Sequence, residues 1–186
     1  MKPVFATILL ILVAPAAIAN EWSMIPGQST LAFESSYDGD RFTGVFKRFS
    51  ATVHIDMDDP GKSLIDVSIE LNSVDTHNEE RDGTLVSEDF FWAEHFPTAH
   101  FKTTTCAAGS TPGTITCQAQ LTIRDKTVAI VFPFQFVAQG ANAGLKASVS
   151  LDRMAFDVGT GDWADAELIP HQVEVKVDLQ LAPSAR

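Results

Sequence analysis

The chain has 186 residues, a formal net charge of −11 and 45% apolar residues. That is enough for one domain with a substantial core. So acidic a surface is repelled by phosphate backbones and by anionic headgroups, which sets aside nucleic acid and electrostatic membrane docking as partners.

In chain order, Lys2 precedes an apolar run from Val4 to Ala14 and then the small-x-small sequence Ala17-Ile18-Ala19, before the polar Asn20-Glu21. This is the pattern of a secretory signal cleaved after Ala19. Residues 1–19 are therefore expected to be an address, and residues 20–186 a periplasmic domain. The apolar run is well short of the ~20 residues that span a bilayer, and Pro15 interrupts any continuation of it. Losing the signal removes Lys2 and makes the charge balance one unit more negative.

Eight stretches alternate apolar and polar residues with the period of half-buried strands. They are Thr30 to Ser35, Phe49 to Asp56, Leu64 to Leu71, Thr98 to Thr105, Thr114 to Ile123, Val128 to Val137, Leu145 to Asp152 and Gln172 to Leu181. In the last, Val173, Val175, Val177, Leu179 and Leu181 share one face, and Glu174, Lys176, Asp178 and Gln180 the other. Turn signals such as Asp38-Gly39-Asp40, Asp59-Pro60-Gly61 and Pro112-Gly113 separate them, and connections this short imply antiparallel neighbours. Two longer intervals break the meander. Asn72 to Pro97 predicts one or two short helices, and Arg153 to His171 a long loop.

The fold class predicted is all-β, an eight-stranded antiparallel barrel, because closure buries one apolar face and leaves no edges. Such a barrel can be filled by side chains or can hold one small ligand. Pro133 cannot donate to a ladder, so a bulge or a local edge is expected there. An immunoglobulin-like sandwich is the rival fold, but Cys106 and Cys117 are too close in sequence to bridge two sheets. With a turn-rich insert between strand-like flanks, the pair reads as a disulfide stapling a hairpin, contributing about 2–3 kcal/mol. Their spacing fits neither a CxxC redox motif nor a thiolate zinc site.

Several chemical constellations nearly form. Asp56-Met57-Asp58-Asp59-Pro60-Gly61 starts like a calcium loop, but Val67 stands where the closing Glu belongs and Pro60 takes a ligand position. His54, His77, His95, His100 and His171 make neither an HxH pair nor an HExxH helix, and predict no metal site. There is no Gly-x-Ser-x-Gly elbow, and Gly159-Thr160-Gly161 lacks the third glycine and helix of a phosphate loop. The reading is of a non-enzyme that requires no cofactor. Phenylalanine stands out, with thirteen residues against one tyrosine. It supplies large apolar area with no polar atom to satisfy, which suits a dense core or a dry lipid cavity equally.

The segment Ser73-Val74-Asp75-Thr76-His77-Asn78-Glu79-Glu80-Arg81-Asp82, then Leu85, Ser87, Asp89-Phe90-Phe91 and His95-Phe96-Pro97-Thr98-Ala99-His100-Phe101, resembles the central signature of the YceI-like family. Trp22 to Phe33 is similar to that family's opening strand, Gly44-Val45-Phe46-Lys47-Arg48-Phe49 to its Gly-x-Phe-x-x-Phe turn, and Leu121-Thr122-Ile123 to a later strand. Arg124-Asp125-Lys126-Thr127 departs from the Gly-containing turn of many relatives, which puts the local hairpin in question. Asp152 to Asp165 resembles the loop of members associated with membrane b-type cytochromes.

The resemblance implies a lipocalin-like barrel holding a long isoprenoid lipid, either a polyprenyl chain or a ubiquinone-like quinone. A carrier or buffer is the leading expectation. A redox accessory presenting quinone to a membrane b-type cytochrome is the second, and a lipid-modifying enzyme the third. Candidate wall residues are Phe33, Phe49, Val53, Phe101 and Leu121, on the assumption that these alternating faces point inward. Arg81, Asp82 and His100 are candidates for a headgroup site or gate, the plainer role for Arg81 and Asp82 being a mutual ion pair that anchors the helical segment. Phe156 and Trp163 are expected to form a lid or a plug at the cavity mouth. A homodimer is left open.

Overall fold

The computed structural model describes residues 21–184, so the expected signal at residues 1–19 lies outside the described residues. Among the described residues, the alternating segments become one antiparallel sheet of eleven strands. The first four are β1 (Glu21–Met24), β2 (Thr30–Tyr37), β3 (Asp40–Phe46) and β4 (Phe49–His54). Then come β5 (Leu64–Glu70), β6 (Val74–Asp75), the α-helix α1 (Glu79–Val86), β7 (Thr98–Ala108) and β8 (Thr114–Ile123). The last three are β9 (Lys126–Gln139), β10 (Asn142–Asp152) and β11 (Gln172–Pro183). Eight of these close a ring in the order β1-β4-β5-β7-β8-β9-β10-β11, with β11 returning to β1.

Three strands, β1, β3 and β6, were not among the alternating segments. β1 has four residues, too few for a period to show, yet Trp22 pairs with both Val53 and Pro183 and so joins the two sides of the ring. β2 pairs with the first half of β11 and turns through Asp38-Gly39 into β3. Both turn residues have positive φ, 48° and 82°, as a tight Asp-Gly hairpin requires. Gly44 belongs to β3 rather than to a turn, and its missing side chain leaves the space that the Phe33 ring occupies. β2, β3 and β6 thus extend the sheet from β11 at one end of the ring, with α1 following β6.

α1 starts where Asn78 accepts a hydrogen bond from the Arg81 amide, and Glu79, Glu80 and Asp82 favour the positive end of the helix dipole. The disputed hairpin after β8 is tight: Ile123 pairs with Lys126 and only Arg124 takes a left-handed conformation, at φ 57°. The Arg124 guanidinium holds it there, donating to the carbonyls of Phe90 and Asp157 at 3.2 and 2.6 Å. Cys106 and Cys117 stand opposite one another on β7 and β8 and are joined by a disulfide. Pro133 marks a local edge, not a bulge. The β8–β9 ladder runs unbroken to Lys126, whereas the β9–β10 ladder stops at Phe134 and Ala147.

The two ends of the barrel differ inside. At one end Trp22, Val53, Cys117, Ala143, Leu179 and Leu181 are all at most 4% exposed and fill the interior. Towards the other end, inward residues of the same sheet, including Val149, Leu151, Val173 and Val175, are only half-buried. An inward apolar residue that solvent still reaches lies beside empty space.

Candidate apolar ligand cavity

That space is a cavity of about 470 Å³. Ile130 and Phe132 of β9, Val149 and Leu151 of β10, and Val173, Val175 and Val177 of β11 form one wall. Leu31 and Phe33 of β2, Val67 and Ile69 of β5, and Phe101 and Leu121 of β7 and β8 form the other. The floor is aromatic. Phe101 and Phe132 meet edge to face at 4.8 Å between centroids, and Phe134 lies 5.6 Å beyond Phe132. Volume and lining fit the apolar sites that take drug-sized ligands, with polar groups few and placed at the entrance and in the loop after β10.

The entrance lies between the β2–β3 hairpin and α1, where exposed Tyr37, Asn78 and Glu80 join the lining. Arg81 lies across it, its guanidinium 4.2 Å from the centre of the Phe42 ring. It donates from Nε to Thr76 Oγ1 at 2.8 Å and from Nη2 to the Thr76 carbonyl at 2.9 Å. Asp82 takes the other side of the same residue, accepting from the Thr76 amide at 2.8 Å and its hydroxyl at 2.6 Å. Arg81 and Asp82 therefore do not pair with each other; each grips Thr76, and together they fix α1 to the end of β6. Nη1 of Arg81 has no protein partner among the described residues. Ser35 Oγ is buried in the lining, and it too lacks a partner among the described residues.

The loop after β10 closes the remaining side. It contains single turns of 3-10 helix at Arg153–Phe156 and Gly161–Trp163. Arg153 is 5% exposed and has no carboxylate partner among the described residues. Its Nη1 donates to the carbonyls of Val158 and Gly159, Nη2 to those of Trp163 and Ile169, and Nε to that of Pro170. Desolvation pulls its pKa below the ordinary guanidinium value, with Asp152 acting in the opposite sense. One cation thus organises five carbonyls, of which those of Val158, Gly159 and Ile169 would otherwise be buried unpaired. Phe156 is 2% exposed and points into the cavity, and Trp163 packs on Phe90 at 5.5 Å. Arg153 thus pins the loop against this side of the cavity.

Residues 22–181 match the sequence profile of the YceI-like domain. The chain belongs to the YceI-like family. A UPF0312 protein of Photorhabdus laumondii is 29% identical over 148 residues, which is 75% of this chain and 76% of the relative. The crystal structure of BcnA from Burkholderia cenocepacia superposes with a TM-score of 0.81 at 25% identity, covering 84% of this chain and 98% of BcnA. A polyisoprenoid binding domain from Saccharophagus degradans, with a TM-score of 0.67 and 18% identity, shares the fold over 90% of this chain and 100% of its own.

Within this YceI-like barrel, Phe33, Phe49, Phe101 and Leu121 line the cavity, as do Arg81, Phe156 and Trp163. Val53 does not. It is 0% exposed and packed below the floor, because it stands at the end of β4 that pairs with Trp22 in the filled half. His100 is also misplaced by the sequence reading: it lies between inward Ala99 and Phe101 and is turned out to solvent. Asp82 serves Thr76 and does not line the cavity. Sequence reasoning passed over Val149, Leu151, Ser35 and Arg153. For Arg153 a signal existed, an arginine opening a Gly-rich loop with many carbonyls to satisfy.

Proposed function

We propose that this YceI-like protein is a periplasmic carrier or buffer that holds one long isoprenoid lipid, a polyprenyl chain or an isoprenoid quinone, in the hollow half of its barrel. The observation that carries the reading is the run of half-buried inward residues Val149, Leu151, Val173, Val175 and Val177 on β10 and β11, a wall built for an apolar chain. At about 0.8 kcal/mol per buried methylene, several isoprene units bind with few polar contacts. The polyisoprenoid binding domain with the same fold supports a cargo of this class. The Nη1 of Arg81 and the hydroxyl of Ser35 are two polar groups that a headgroup at the entrance would meet. The signal pattern and the disulfide favour an oxidising, exported location.

Native mass spectrometry of protein purified from its own host, followed by solvent extraction and identification of the released lipid, tests this. A stoichiometric isoprenoid is expected. Recovery of no amphiphile, together with no binding of added prenyl quinone, would overturn the reading. The same spectra report whether the protein is a monomer or a homodimer.

A further inference from the structure

The barrel wall has a seam. The Phe136 amide donates to the Gly113 carbonyl at 3.3 Å, so along β9 the even-numbered amides face β8 and the odd-numbered ones face β10. The nitrogen of Pro133 therefore faces β10 and has no proton to give. Beyond it, Val131, Ala129 and Thr127 turn their backbone groups toward a neighbour that has left, since β10 pairs with β9 only up to Ala147. On the far side, β10 from Ser148 to Asp152 stays with β11 alone.

Behind the seam lies the cavity. Ile130 and Phe132 on one flank, and Val149 and Leu151 on the other, are all lining residues. The outer rim on β9 is uncharged, with Ala129, Val131 and Pro133 exposed, and Val131 is 53% exposed. The seam ends where the loop after β10 meets the β8–β9 hairpin, through Lys126 and Asp157 at 3.2 Å and through Arg124. The geometry points to the β9–β10 seam as a lateral port, through which an isoprenoid chain passes sideways between the strands. The α1 entrance keeps the headgroup. This rests on the carrier reading above and adds the route by which the cargo moves. A side port suits a chain longer than the cavity is deep, because the chain need not be drawn out lengthwise.

Restoring the missing donor closes the port. Pro133→Val lies on the outer surface, changes no lining residue, and lets the ladder continue toward Val131 and Ser150. Two measurements are made on wild type and variant: amide hydrogen exchange at the seam-facing residues 127, 129 and 131 of β9 and 148, 150 and 152 of β10, and stopped-flow uptake and release of octaprenyl benzoquinone read by tryptophan quenching. Wild-type seam amides are expected to exchange quickly, and the variant's slowly. Uptake and release are both expected to slow by about fivefold, the factor that one backbone hydrogen bond represents, with equilibrium affinity unchanged. Should Pro133→Val leave the seam amides unprotected, Val131→Cys with Ser150→Cys, bridged by a bismaleimide, closes it covalently. Cys106 and Cys117 are already bonded to each other and do not react.

Seam amides already protected in the wild type would overturn the port, as would a closed seam with unaltered rates. Protection that grows with protein concentration would overturn it too, because a second copy would then fill the seam. No binding of the quinone to the wild type defeats the carrier reading itself; binding with unaltered rates in the closed variants defeats only the port.

Discussion

Enlarging an inward residue has opposite consequences at the two ends of the barrel. Val175→Phe adds four carbons beside empty space, whereas Val53→Phe forces the same atoms into a region that is 0% exposed. Overpacking a filled core costs about 1–3 kcal/mol. For a domain of this size each kcal/mol is about 2–4 °C in Tm, so Val53→Phe is expected to lower Tm by about 2–12 °C. Val175→Phe is expected to leave Tm unchanged or raise it, since the ring gains contacts without displacing any. It should, however, take space from the cargo. Losing room for three methylenes at about 0.8 kcal/mol each costs about 2.4 kcal/mol, roughly sixtyfold in Kd. Thermal unfolding and prenyl-quinone titration of both variants provide the assay. Equal losses of stability in the two variants would refute the hollow end, and unchanged affinity in Val175→Phe would remove β11 from the ligand wall.

Arg153→Met strands five carbonyls, three of them fully buried, and is expected to cost at least about 3 kcal/mol in urea unfolding; a loss under about 1 kcal/mol would mean that the loop is held by other contacts. Thr76→Val removes the hydroxyl shared by Arg81 and Asp82, and limited proteolysis should then cut within α1 sooner than in the wild type. Replacing both Cys106 and Cys117 by Ser is expected to cost about 3 kcal/mol from the loop they close, read as a lower denaturation midpoint. Lys47 beside Asp75, reinforced by the His77 amide, holds the Asp75 carboxyl below its ordinary pKa. The stability this confers is therefore complete above about pH 3.9 and is lost as pH falls through the lowered value. Asp75→Asn should flatten that part of the acid-unfolding curve, and an unchanged curve would assign acid sensitivity to other carboxylates.

The ring of long strands was legible because each buries one face, and alternation records that directly. β1 and β6, of four and two residues, left no period to read. The difference between the hollow and filled ends was also present in the residues, in their size. Along β9 the inward series runs Val128, Ile130, Phe132, Phe134, Phe136, and along β11 it runs Val173, Val175, Val177, Leu179, Leu181. Both strands start at the hollow end, so both widen towards the floor. Periodicity treats these residues as equivalent, and only the register shows that Val173, Val175 and Val177 stand beside Leu151, Val149 and Ala147 of β10. His100 was misjudged for its company, since proximity in a family signature says nothing about the face of a strand. The grip of Arg81 and Asp82 on Thr76 depends on how α1 folds back against β6, which no local pattern contains.

The pairing of β1 with β11 brings together the two extremes of the described chain, and the Ser184 amide donates to the Glu21 carbonyl at 3.0 Å. A ring whose first strand waits for β11 cannot close before β11 has been made. Until Leu179 and Leu181 arrive, Trp22 and Val53 have no cover on that side, and the molecule is an open curved sheet with its apolar face bare. Shortening the C-terminus by even the residues that follow Gln180 should thus leave a chain that behaves throughout as an unfinished one, prone to self-association and dependent on holding factors.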